Sequence, residues 1–128
     1  MDTKIALFDI RLISPYSKLT KLSDYWLKDS FFKHLKHSKF TKVIIVNVVG
    51  VAGTKGSRFQ KIIREDVDFI CSELNLKYEI IDKKIKGHVG TAITNMILSD
   101  LYNQYCNEDG IKIKWFARIE HKSKCNYN

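Results

Sequence analysis

The stretch TKVIIVNVVGV, residues 41–51, decides the fold class. Residues 43–46 and 48–49 are all Val or Ile, so a strand formed here is apolar on both of its faces. Such a strand belongs in the interior of a sheet that helices cover on two sides. The stretch therefore predicts an α/β protein in which it is a central strand.

The rest of the chain alternates between strand-like and helix-like patterns. Strands are expected over 4–13, 77–82 and 111–122, and helices over 17–39, 59–74 and 91–105. Ser57 is a suitable N-cap for the second helix, and Asn75 a suitable stop. The order β-α-β-α-β-α-β predicts one α/β domain over residues 1–128. Its sheet should be mixed or mostly parallel, with helices on both faces.

Composition favours a polyanionic partner. The 128 residues include 22 Lys and Arg against 14 Asp and Glu, a net charge of +8, which predicts a basic protein that binds DNA or RNA. Cys71, Cys106 and Cys125 are odd in number and form no CxxC pair, which indicates a reducing compartment. No apolar run reaches about 18 residues and no signal peptide is evident. We therefore expect a cytoplasmic protein with no membrane partner, and leave a homodimer open.

Glycines follow the central strand and precede a helix. Backbone N–H groups at such a corner bind phosphate when cations lie nearby, and Lys55 and Arg58 supply them beside Gly53 and Gly56. The alternative is a plain tight turn. A second basic run, DKKIK, adds three lysines to the expected phosphate-binding set: Lys83, Lys84 and Lys86.

Two acidic residues stand where strands are expected to end. Asp9 lies within the apolar stretch IALFDI, where a carboxylate is costly to bury without a partner. A Mg²⁺ ion is one such partner, with Asp82 as a second ligand. The alternative is that Asp9 caps the turn that follows its strand.

The run GTKGSRFQKIIREDVDFICSELNLKYEIIDKKI, residues 53–85, resembles RuvC/YqgF-type Holliday-junction resolvases of the RNase H-like superfamily. In that family a GTxGxR turn opens a helix that leads to a strand ending in Asp, and the first strand also carries an Asp. The resemblance implies a Mg²⁺-dependent endonuclease with Asp9 and Asp82 as catalytic metal ligands. The KGHVG turn resembles that of the superfamily's ribonucleases, which implies that His88 assists hydrolysis. Lys83 stands where the family has a Glu ligand.

A different nuclease pattern occurs near the end of the chain. RIEHKSK resembles the ExK arm of PD-(D/E)xK endonucleases, which implies that Glu120 and Asp100 hold the metal and Lys122 orients water. The alternative is a charged, solvated edge strand or tail.

These observations leave three functional hypotheses. The first is a nucleic-acid-binding protein whose enzymatic form is a metal-dependent nuclease or resolvase, a hydrolase of RNase H-like type. The second is a non-enzymatic module for nucleic-acid or protein interaction, of mobile-element or anti-defence type, on the same fold. The third is a Rossmann-like nucleotide-binding domain whose loop at residues 50–58 holds a phosphate group.

Overall fold

A computed structural model describes residues 3–13, 22–50, 54–87 and 90–116. The elements in chain order are β1 (Thr3–Asp9), a single 3-10 turn (Ile10–Leu12), α1 (Leu22–His37), β2 (Lys42–Val49), α2 (Thr54–Glu73), β3 (Lys77–Lys84), α3 (Thr91–Cys106) and β4 (Ile111–Phe116). The four strands form one sheet in the order β3-β2-β1-β4. All three neighbouring pairs are parallel, which confirms the predicted α/β class.

Both sheet faces carry helices, as predicted. Connections between parallel strands are right-handed, so the face on which a connecting helix lies depends on the side of the first strand at which the next strand is added. The chain moves one way through β1, β2 and β3 and then returns across the sheet to β4. As a result α1 and α2 cover one face, while α3 packs on the other, against β1 and β4.

The two faces of the sheet contribute to two separate apolar clusters. Ala6 and Phe8 of β1 join the cluster under α1 and α2, whereas Ile5 and Leu7 join the one under α3. In the first cluster the Phe8 ring lies edge-on to Phe31, with the ring centroids 5.1 Å apart. Helix-covered parallel strands are expected to be buried on both faces, and the strand residues from Val43 to Val46 are fully buried.

Several strands and helices begin or end at residues other than those predicted. The first strand ends at Asp9 because residues 10–12 form the 3-10 turn. The second helix begins at Thr54, so Ser57 lies inside it and the N-cap prediction is wrong. An apolar stripe marks only the part of a helix that packs on the core. The stripe that begins at Phe59 therefore does not predict the first turn of α2, which precedes it.

The predicted end of the second helix is confirmed. Asn75 adopts a left-handed φ of 54°, and the Leu76 N–H donates to the Cys71 carbonyl at 2.8 Å, as in a Schellman cap.

Cys71 and Cys106 are free thiols, and burial, followed by the charge of Asp68, raises the pKa of Cys71 to about 12. Cys125 lies outside the described residues, as does the predicted continuation of the last strand over 117–122. Among the described helices, none combines the length and apolarity that crossing a membrane requires.

Phe8→Ala tests the importance of the aromatic cluster. Phe8 is fully buried against Phe31 and Phe32, so we expect its truncation to lower the free energy of unfolding by about 3–5 kcal/mol. Urea titration followed by circular dichroism measures this. Phe69 on α2 is 65% exposed, and Phe69→Ala, the matched control, should change stability by less than about 0.5 kcal/mol. Equal losses in the two variants would contradict the assigned packing.

Candidate functional site at the carboxyl edge of the sheet

The carboxyl ends of parallel strands are where ligands bind in open α/β sheets, above all where the direction of winding reverses. Here the reversal lies between β1 and β4, because the strand order is 3-2-1-4. Polar residues occur near the ends of three strands: Asp9 ends β1, Asn47 lies near the end of β2, and Asp82 lies near the end of β3.

Asp9 is only 2% exposed and is held by Arg11. Its Oδ2 accepts from the Arg11 Nε at 2.8 Å, and its Oδ1 accepts from the Arg11 backbone N–H at 3.2 Å. Asp9 therefore caps the 3-10 turn, as the alternative interpretation predicted, and its charge is compensated inside the protein.

Arg11 also connects the first strand to the third helix. Its Nη2 donates to the Thr94 Oγ1 at 2.7 Å. The Thr94 hydroxyl in turn donates to the Gly90 carbonyl at 2.9 Å, at the start of α3. Asp9 and Thr94 are buried and the Arg11 side chain between them is 29% exposed, so this partly buried chain of hydrogen bonds links β1 to α3.

Asp82 belongs to a second network. It accepts a hydrogen bond from the Asn47 Nδ2 at 2.8 Å, and the Arg64 Nη2 donates to both of its oxygens, at 2.5 and 2.6 Å. The Asp82 side chain is 50% exposed. These contacts tie together β3, β2 and α2.

Asp9 and Asp82 point to opposite faces of the sheet. Asp9 lies on the same face of β1 as Ile5 and Leu7, which is the face that α3 covers. Asp82 lies on the same face of β3 as Tyr78 and Ile80, which is the face that α2 covers. Strand β2 also lies between them, and two strand spacings amount to about 10 Å.

This arrangement does not fit the shared Mg²⁺ site that the resemblance implies. Carboxylates that bridge a metal pair must converge on ions about 4 Å apart. The two carboxylates do not converge, and an arginine already contacts each of them. In the described parts of the chain no three His, Cys, Asp or Glu side chains are grouped to hold a metal ion.

The other predicted site residues are distributed as follows. Asp100 is exposed within α3. Lys55, Gly56 and Arg58 occupy the first turns of α2, and Lys83, Lys84 and Lys86 are exposed at and just beyond the end of β3. His88, Gly53, Glu120 and Lys122 lie outside the described residues.

The backbone positions of the predicted phosphate-binding residues in α2 and β3 lie near one edge of the sheet. Helix α2 begins four residues after the loop residue Gly50, at the carboxyl end of β2, and β3 is the neighbour of β2. The start of α2 and the lysines that end β3 therefore share the carboxyl edge of the sheet.

Sequence reasoning missed Arg11, Asn47, Arg64 and Thr94. Asn47 had a signal, because it is the polar residue that interrupts the Val and Ile run of the central strand. Arg11 and Thr94 are 83 residues apart, and no local pattern relates them.

Comparison of the chain with protein-family models, with characterised proteins and with solved structures finds no match.

Arg11→Ala should destabilise the protein strongly. It leaves the Asp9 carboxylate buried without its cation, a change that costs about 3 kcal/mol in comparable pairs. The free energy of unfolding from urea titration measures the loss.

Arg64→Ala is the matched control, since it removes an arginine from the half-exposed carboxylate of Asp82. It should cost less than about 1 kcal/mol. Adding Asp9→Asn to Arg11→Ala should recover part of the stability, because the uncompensated charge is then gone. If Asp9→Asn brought no recovery, the pair would not carry the stability assigned to it.

Proposed function

We propose that this chain is a cytoplasmic nucleic-acid-binding protein that contacts the phosphate backbone through the basic carboxyl edge of its sheet. The basic carboxyl edge comprises Lys83, Lys84 and Lys86 with the first turns of α2, which carry Lys55 and Arg58. The single observation that carries the proposal is the separation of charge between the two ends of the sheet.

The carboxylates near the ends of β1 and β3 are already compensated. Asp9 is buried against Arg11, and Asp82 contacts Arg64. The exposed Lys83, Lys84 and Lys86 therefore face solvent with no described acidic side chain in contact with them.

The amino edge of the sheet also carries lysines, but acidic residues accompany them. Glu73 ends α2, and Glu108 and Asp109 precede β4. Lys42 forms an ion pair with Glu79 at 3.2 Å. Mixed charge of this kind binds a polyanion weakly, so the carboxyl edge is the stronger phosphate-binding surface.

Lysine ammonium groups on flexible stems contact phosphates as point charges. Such contacts release counterions and carry no base sequence information. The expected binding is therefore independent of sequence and falls steeply as salt is added.

The triple variant Lys83→Gln, Lys84→Gln and Lys86→Gln tests the surface. Each phosphate contact contributes about 0.9 to the slope of log K against log salt concentration, so we expect the slope to fall by about 2 to 3. Fluorescence anisotropy with labelled single-stranded and duplex DNA and with RNA, at several salt concentrations, measures it.

The control removes the same charge from other exposed lysines: Lys36→Gln, Lys39→Gln and Lys112→Gln. Its slope should change by less than about 1. Equal reductions in the two triple variants would show that net charge alone sets the affinity. A salt-independent or undetectable interaction in the wild type would remove the proposal.

A Mg²⁺-dependent nuclease is the enzymatic alternative. Asp9 and Asp82 as placed share no metal, so that alternative needs further ligands such as Glu120, or a different pairing with Asp100. We expect nucleic acid to be bound without cleavage in Mg²⁺ or Mn²⁺. Metal-dependent cleavage that Asp9→Asn abolishes, on branched or linear DNA or on RNA, would instead establish the nuclease.

A further inference from the structure

Strand β3 is an edge strand of the four-stranded sheet. It is eight residues long, contains no proline, and pairs on one side with β2. Within residues 3–13, 22–50, 54–87 and 90–116, no other strand pairs with its outer side. An uncovered edge of this length is a template for a further strand.

The backbone of β3 directs alternate residues outward. Just beyond the strand, the Ile85 N–H donates to the Val49 carbonyl of β2 at 2.9 Å. Counting back by twos, the N–H and C=O groups of Ile81 and Lys83 point to β2. The outward groups are those of the even-numbered residues, Tyr78, Ile80, Asp82 and Lys84.

The side chains of β3 are self-complementary about Ile81. In an antiparallel pair of two copies related by a two-fold axis at Ile81, Glu79 of one copy lies opposite Lys83 of the other. The same pairing occurs twice by symmetry, and Ile81 meets its own equivalent between them. Ile81 and these charged residues would occupy non-hydrogen-bonded positions, where facing side chains approach most closely.

The opposite face of the strand is compatible with the same register. Tyr78 falls opposite Lys84 of the second copy, and Ile80 falls opposite Asp82. The Asp82 charge is already compensated by Arg64, so it does not need a cation from the second copy. The outward backbone groups of these four residues would pair with one another, as an antiparallel ladder requires.

Neighbouring registers lack this match. A two-fold axis at Ile80 places Lys77 opposite Lys83, and one at Asp82 places Lys83 opposite Ile81, without an acidic partner. Axes between residues would pair side chains of opposite faces, which the pleat forbids.

Edge lysines ordinarily keep sheets apart. Here Glu79 contacts Lys42 of its own chain through Oε1 and is 48% exposed, so its Oε2 can accept from Lys83 of the second copy.

We propose that β3 pairs antiparallel with β3 of a second copy of this chain, about a two-fold axis at Ile81, so that two four-stranded sheets form one continuous sheet. This inference does not depend on the proposed nucleic-acid binding. It rests on the open edge, the outward backbone groups and the opposite charges of Glu79 and Lys83.

Charge reversal tests the register. Size-exclusion chromatography with light scattering at high micromolar concentration should give twice the mass of the chain for the wild type. Glu79→Lys and Lys83→Glu should each halve that mass, because like charges then face each other twice. The double variant Glu79→Lys with Lys83→Glu restores opposite charges and should restore the dimer. Glu79 and Lys83 are both exposed, and Glu79→Lys removes only the partly exposed ion pair with Lys42, so the fold should survive, and circular dichroism checks it.

Glu108→Lys is the matched control, since it changes the charge by the same amount at an exposed site away from β3, and it should remain dimeric. A monomeric wild type overturns the proposal. So does a dimer that neither single reversal disrupts, because it would form through another surface, and so does a double variant that stays monomeric.

Discussion

The burial of both faces of β1 and β2 is the constraint on which the rest of the structure depends. A strand without a solvated face needs helices above and below the sheet, and parallel neighbours need long crossovers, which here are helices. Right-handed crossovers then place α1 and α2 together and α3 on the other side. The outer strands β3 and β4 remain half exposed, so the surfaces available for partners lie at the edges and ends of the sheet.

The same burial determines what the polar groups at the carboxyl edge can do. Asp9 ends a strand that is otherwise wholly apolar from Ile5 to Phe8, so its carboxylate needs a cation within the protein, and Arg11 supplies it. Asn47 is buried in the central strand and donates to Asp82, which Arg64 compensates from α2. Two arginines thus serve two carboxylates on opposite faces. The acidic groups that suggest metal chemistry in the sequence are structural supports in this arrangement.

Among the described side chains near this edge, Lys83, Lys84 and Lys86 are exposed and contact no acidic group. Lys83 and Lys84 contribute both to that edge and to the outer side of β3, so the two proposed interactions share residues. They differ in what they require. Phosphate binding needs only the density of positive charge. Strand pairing needs Glu79 and Lys83 at mirror positions about Ile81, together with free backbone groups. Glu79→Lys leaves the lysines of the carboxyl edge in place, so it affects the strand pairing alone and separates the two interactions.

The sequence by itself determined the α/β class, the order of the elements and the end of α2 at Asn75. These depend on local signals: apolar runs, helical periodicity and a residue that tolerates the left-handed conformation. It also indicated Asp9 as a buried carboxylate, but left open whether a metal or a cap receives it. Only the tertiary structure decided that Arg11 and Thr94 meet across 83 residues, and that Asp9 and Asp82 face opposite ways. The direction of a strand side chain depends on the parity of its position and on which helix covers that face. Both are properties of the assembled sheet, so the spacing of two carboxylates along the sequence does not predict them.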